Sequence, residues 1–227
     1  MFRGRYPATI RSVFGILLFS LSVWFLHEEL GPYRIRDILH ALWQIPWRQF
    51  SLALAITVLS YLVLTANGIL DLRSMERSVS YRKTVANSFI ASALNNNVGY
   101  SAILGLSLRN RLYSLLEFSK VSLQQTAISF LDWILAGSAL YFLLPGSASL
   151  PYATFLWIFL AARLAGLLSR VPGGLGVFEA VLLMFFPPEF STPSVFASLL
   201  VFRGIYYLLP LAVATTLLAG EEILRRK

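Results

Sequence analysis

The sequence predicts an all-α, polytopic membrane protein with about six crossings plus one re-entrant, broken-helix element. Three observations predict it. Apolar residues make up 57% of the 227-residue chain and charged residues 13%, where soluble domains run at roughly 45 to 50% apolar. Mean hydropathy is +0.68. Charge-free stretches run from Gln49 to Leu70, from Thr84 to Leu108 and from Trp133 to Ala162, and about 20 such residues suffice to cross a bilayer core. No polar segment is long enough for a soluble domain, so residues 1–227 are expected to form a single transmembrane domain.

The net charge of +8 does not mark a nucleic-acid binder, because the bases lie in short clusters between apolar runs rather than along one face. They read as topology signals. Arg3, Arg5 and Arg11 precede the first apolar run, Arg73, Arg77, Arg82 and Lys83 follow the second, and Arg225, Arg226 and Lys227 close the chain. The positive-inside bias places all three clusters, and both termini, in the cytoplasm. His27-Glu28-Glu29 follows the first run without a small-x-small cleavage site, so that run is an uncleaved span rather than a signal peptide. With no cysteine and only two histidines, neither a disulfide nor a metal site is expected.

The elements follow in order. The first span is Thr9 to Leu26. Residues 27–48 form an outer interfacial segment, in which Ile35, Ile38, Leu39 and Leu42 recur at helical spacing and Trp43 and Trp47 suit headgroup level; a solvated loop is the alternative. The second span, Arg48 to Asp71, returns to the basic loop. Residues 84–108 are long enough to cross, yet Asn95-Asn96-Asn97, Gly99 and Gly105 interrupt them. A full span would put Arg109, Arg111 and Lys120 outside. A re-entrant hairpin turning at the asparagines keeps them cytoplasmic. Spans from Lys120 to Leu144 and from Tyr152 to Ser169 flank a turn at Pro145-Gly146-Ser147. Residues 171–187 then carry a Pro-Gly-Gly turn and a helix, Leu175 to Phe186, too short to cross alone at about 1.5 Å per residue. The last span is Ser194 to Gly220.

Broken backbone at membrane depth is tolerated only where protein or a hydrated cavity surrounds it. Pro172, Gly173, Gly174 and Gly176 form such a break, and the interrupted segment at Asn95 to Gly105 occupies the comparable place in the other half. Paired broken segments point to a transport site. Asp132, Arg163, Glu179 and Arg203 sit alone inside apolar runs, where each costs about 2.5–3.5 kcal/mol or more unless paired or hydrated. Two acids and two bases invite pairing, either as ion pairs that orient helices or as a polar path. Glu179 stands near the start of the short helix, where the helix dipole favours an acid. Exposed backbone N–H groups at the same turn are an alternative phosphate cradle. Arg203, Tyr206 and Tyr207 share one helical face, with Pro210 a turn further. Arg109 and Arg111 carry the guanidinium fork suited to phosphate, or serve as plain cytoplasmic anchors. Asp71 is either a site acid or the salt-bridge partner of Arg73 and Arg77. No Gly-x-Ser-x-Gly elbow, HExxH or plausible Ser/His/Asp set occurs, and no cofactor is expected.

With Val171-Pro-Gly-Gly-Leu-Gly-Val-Phe-Glu179 followed by Arg203-Gly-Ile-Tyr-Tyr-Leu-Leu-Pro210, the chain resembles the lysylphosphatidylglycerol synthase transmembrane family. That family includes the flippase region of the bacterial multiple peptide resistance factor and its stand-alone relatives. Asp71, Asn87 to Asn97 with Gly99-Tyr100, and Leu108-Arg109-Asn110-Arg111-Leu112-Tyr113 agree as well. The resemblance implies a multi-pass protein of the bacterial inner membrane that moves aminoacylated phosphatidylglycerol outward. The family's translocation residues map to Asp71, Arg109 or Arg111, and Glu179. Peptide resistance follows only where the cargo is a cationic lipid. The large members make that lipid with a soluble domain that this sequence does not show, so a separate synthase subunit is one expected partner. The stretch between Leu144 and Arg163 leaves room for one helix pair fewer than the resemblance leads one to expect.

The expected function is therefore translocation of an anionic or aminoacylated phospholipid. Arg109 and Arg111 would take the phosphate, Asp71 and Glu179 an ammonium group, and Arg203 and Tyr206 would line the path past Asp132 and Arg163. Phospholipid and membrane are the expected partners, with a homodimer left open. The alternatives are the membrane subunit of a split aminoacyl-phosphatidylglycerol synthase and a lipid-binding scaffold that does not transport.

Overall fold

The computed structural model describes residues 8–73, 81–98, 118–146 and 149–225, and it is all-helical there. The first helix, α1 (Ala8–Leu30), has 23 residues, a rise of about 35 Å. A short helix, α2 (Ile35–Trp43), follows the Gly31 turn and leads into α3 (Trp47–Arg73). Asp37 accepts the Arg34 N–H at 2.8 Å and so closes the first turn of α2. Then come α4 (Tyr81–Val98), α5 (Phe118–Leu143) and α6 (Tyr152–Ser169).

The Pro-Gly-Gly sequence forms one 3₁₀ turn, Pro172–Gly174, ahead of the nine-residue α7 (Val177–Phe185). The final rod is α8 (Thr192–Arg203), a π-helical turn (Gly204–Leu208) and α9 (Leu209–Arg225). Four stretches are long and apolar enough to cross a membrane among the described residues: Trp47–Ala66, Thr126–Leu143, Tyr152–Ser169 and Thr192–Gly220.

These helices pack as membrane helices do, through small residues that let backbones approach. Ala53 on α3 and Ala136 and Ala139 on α5 are fully buried where the two helices run side by side. Many large apolar side chains also point outward. Trp157 is 74% exposed and Leu168 63%, an apolar surface suited to lipid rather than water. The centre is aromatic: Phe155, Phe159, Phe178, Phe202 and Tyr206 form a continuous series of ring contacts joining α6, α7, α8 and the π turn. Ser198 on α8 donates to the Leu143 carbonyl at 2.8 Å, satisfying a free acceptor at the end of α5.

Two details depart from the sequence reading. Helix α4 runs unbroken through Asn95, Asn96 and Asn97 to Val98, so the expected turn does not fall at the asparagines; residues 99–108 lie outside the described residues. The last span is not uniform. Pro210 has no N–H and its ring would strike the carbonyl four residues back, so the rod widens into the π turn just before it, with the Leu209 N–H reaching Gly204 O.

Candidate functional site

The break begins where α6 ends. Arg170 takes a left-handed conformation (φ 59°) and its N–H bonds to Leu167 O, closing the helix in the manner of an αL cap. The chain then turns through Pro172, Gly173 and Gly174. Gly174 has φ 62° and lies against the α6 backbone: a Cβ on it would stand 3.0 Å from Gly166 Cα. Glycine is required there both for the conformation and for the contact. The turn also packs against α4.

Glu179 and Arg203 hold this turn in place. One Glu179 oxygen accepts the Gly176 N–H at 2.8 Å, capping the first turn of α7. The other accepts from Arg203 Nε at 2.7 Å, an ion pair between side chains that are both about nine-tenths buried. Arg203 Nη1 donates to the Gly173 carbonyl. Its Nη2 is buried without a hydrogen-bond partner among the described residues. The guanidinium instead faces the rings of Tyr207 (4.7 Å) and Phe178 (5.3 Å), which offer it their π electrons. One arginine thus ties α7, the turn and the end of α8 together.

A second polar group lies beside the first, between α3, α5, α6 and the π turn. Asp132 on α5 is 3% exposed and accepts hydrogen bonds at Oδ1 from the Ser60 hydroxyl and from the Tyr206 hydroxyl, the latter at 2.6 Å. Arg163 on α6 donates from Nη1 to the Tyr207 hydroxyl at 2.6 Å, with its guanidinium 5.7 Å from the Trp133 ring and 5.8 Å from the Tyr206 ring. On the α3 side, Tyr61 donates its hydroxyl to the Tyr206 carbonyl at 3.1 Å and receives the Asn96 amide of α4 at 3.4 Å. That carbonyl is the one Pro210 leaves without a helical donor, so Tyr61 fills the gap.

Between α3, α4 and α9 runs an apolar groove of about 590 Å³, walled by residues including Leu62, Val85, Phe89 and Val213. Tyr61 and Pro210 belong to the same wall. The groove therefore opens against the tyrosine that reaches the polar group. A long apolar tail and a charged head would find complementary surroundings within one side chain of each other.

Of the residues singled out in the sequence, Pro172, Gly173, Gly174, Gly176, Glu179 and Arg203 form one cluster, while Asp132, Arg163 and Tyr206 form its neighbour. The two acids and two bases do not pair symmetrically: Arg203 and Glu179 make an ion pair, whereas Asp132 and Arg163 meet only through tyrosines. Asp71 falls on α3 with its side chain outside the described residues, as are Arg109 and Arg111 entirely. The sequence reading does not single out Ser60, Tyr61 or Trp133, and it takes Asn96 only as part of an expected turn. The adjacent hydroxyls of Ser60 and Tyr61 inside an apolar run were the available signal.

The family model described as Lysylphosphatidylglycerol synthase TM region matches residues 101–214. An uncharacterized protein of Synechocystis sp. is 27% identical over 303 aligned positions, taking in 97% of this chain and 93% of that protein. A phosphatidylglycerol lysyltransferase of Staphylococcus xylosus is 22% identical over 293 positions, covering 96% of this chain and 35% of that protein. Both alignments are longer than the 227-residue chain, so these relatives hold internal residues with no counterpart here. Inner membrane protein YbhN of Escherichia coli is 33% identical over 96 residues, 42% of this chain and 30% of that one. The chain thus spans about a third of the lysyltransferase and aligns with less than a third of YbhN. The match over half its length, across the broken helix, the Glu179–Arg203 pair and the π turn, makes this chain a member of the lysylphosphatidylglycerol synthase transmembrane-region family.

Proposed function

We propose that this protein binds an anionic or aminoacylated phospholipid in the bacterial inner membrane and carries its headgroup across the bilayer. The observation that supports this reading is the adjacency of the apolar groove and the buried polar group, joined at Tyr61. A headgroup entering hydrocarbon unaided loses its hydration, at a cost of several kcal/mol for each charge. Fixed charges and hydroxyls at mid-span offset that loss. The acyl chain lies in the groove between α3, α4 and α9, while the head passes Tyr61 towards Tyr206, Asp132 and Arg163.

In this mechanism Arg109, Arg111 and Asp71 meet the headgroup at the cytoplasmic end. Glu179 has both oxygens engaged, so its role is positioning: with Arg203 it fixes the Pro172–Gly174 turn beside the path. The relative named phosphatidylglycerol lysyltransferase supports a phosphatidylglycerol-type cargo.

The test uses vesicles of phosphatidylcholine carrying a trace of acyl-labelled fluorescent phosphatidylglycerol, in which headgroup transfer exposes label to an impermeant quencher. The protein should speed the transfer, and Val213→Trp, which fills the groove, should slow it several-fold. Transfer no faster than in protein-free vesicles overturns the reading. A second reading, the membrane subunit of a split synthase, rests on the likeness to a protein named phosphatidylglycerol lysyltransferase. Co-purification of a soluble aminoacyl-transferring subunit from the native membrane would support it.

A further inference from the structure

Two of the four intramembrane charges answer each other directly, and two do not. Arg203 and Glu179 meet at 2.7 Å. Among the described residues Asp132 meets only hydroxyls, from Ser60 and Tyr206, and both go to the same oxygen, Oδ1. Its Oδ2 accepts no hydrogen bond among the described residues. Arg163 meets the Tyr207 hydroxyl and the faces of Trp133, Tyr206 and Tyr207, with no carboxylate in contact among the described residues. Tyr206 stands between the two, its hydroxyl on the acid and its ring on the cation. The remaining groups around Asp132 are the hydroxyls of Tyr61 on α3 and of Tyr207 on the π turn, and the neutral Asn96 on α4.

An acid and a base so placed compensate each other across a ring, without the short contact that would lock them together. We propose that Asp132 is a proton-binding site, and that its occupancy sets whether Arg163 is free to hold a lipid phosphate, so that one proton and one headgroup travel together. The inference rests on the translocation reading above. A hydronium ion transfers its proton to Asp132 Oδ2: one O–H bond forms, another breaks, and water leaves. The carboxylate charge disappears and Arg163 becomes the uncompensated cation. A phosphodiester then restores neutrality, and loss of the proton on the far side returns Arg163 to Asp132 and releases the head. Linkage makes the effects reciprocal, so one coupled proton changes lipid affinity by at most about tenfold per pH unit.

Two measurements on the full-length protein test this. In the labelled phosphatidylglycerol vesicles, a transmembrane pH gradient should change the wild-type rate several-fold, while Asp132→Asn, whose Arg163 is never compensated, should hold the headgroup and transfer it slowly whatever the gradient. The second needs no variant: adding phosphatidylglycerol micelles to the wild-type protein in weakly buffered detergent should draw up to about one proton per chain from solution. Wild-type transfer that ignores the gradient, or lipid binding without proton uptake, overturns the coupling and leaves translocation standing. No transfer under any condition overturns both. Inorganic phosphate should leave rate and uptake unchanged; if it abolishes the gradient response or itself draws the proton, the ligand is free phosphate and the lipid proposal fails.

Discussion

Arg203 shows how much one side chain can fix in a setting without water. It pairs with Glu179, holds the Gly173 carbonyl and stacks on Tyr207, and each contact belongs to a different element. Removing one member of such a buried pair leaves the other charge without compensation, at about 3–5 kcal/mol. Arg203→Met should therefore lower thermal stability in detergent steeply, while the Arg203→Met/Glu179→Gln double variant recovers a large part of the loss. Additive losses would deny the pairing. The sequence made the four lone charges legible, because a charge inside an apolar run stands out on composition alone. It could not say who pairs with whom: Glu179 and Arg203 are 24 residues apart, and only the fold of α7 against α8 brings them together.

Among the elements, the π turn is where local sequence and distant packing meet. Pro210 deprives the Tyr206 carbonyl of its helical donor, and Tyr61 supplies a hydroxyl in its place. The Tyr61→Phe substitution should cost about 1 kcal/mol in the wild-type background. With Pro210→Ala the backbone N–H returns, the turn can relax to α-helix, and the same substitution should cost close to nothing. Equal costs in both backgrounds would show that Tyr61 does not serve this carbonyl. The Pro-Gly-Gly turn makes a simpler demand. Gly174→Ala adds about 1–2 kcal/mol of left-handed strain and pushes a methyl group against Gly166, so Gly166→Ala should be destabilising from the other side of the same contact. The helix break was readable from Pro172, Gly173 and Gly174 because those residues act locally. The π turn was not, since Pro210 within an apolar helix is equally compatible with a kink.

At the scale of the molecule, apolar length sets the crossings, and that signal is legible in the sequence for the four stretches Trp47–Ala66, Thr126–Leu143, Tyr152–Ser169 and Thr192–Gly220, while their expected direction rests on the basic clusters. What they leave open is the segment between α4 and α5. Helix α4 continues to Val98, past the asparagines expected to turn, and α5 begins at Phe118. If residues 84–108 are re-entrant, Arg109 and Arg111 stand on the cytoplasmic side, where capture of a phosphate headgroup must begin. The chain has no cysteine, so single cysteines report position without background. With Ser114, Ser147 and Ser191 each replaced by cysteine, an impermeant thiol reagent applied to intact cells should label positions 147 and 191 and spare 114. The same cells, opened to the reagent, should then label position 114. Labelling of position 114 in intact cells would make residues 84–108 a full crossing and move both arginines outside. The capture step would then have to start from the outer leaflet, with the direction of lipid movement reversed.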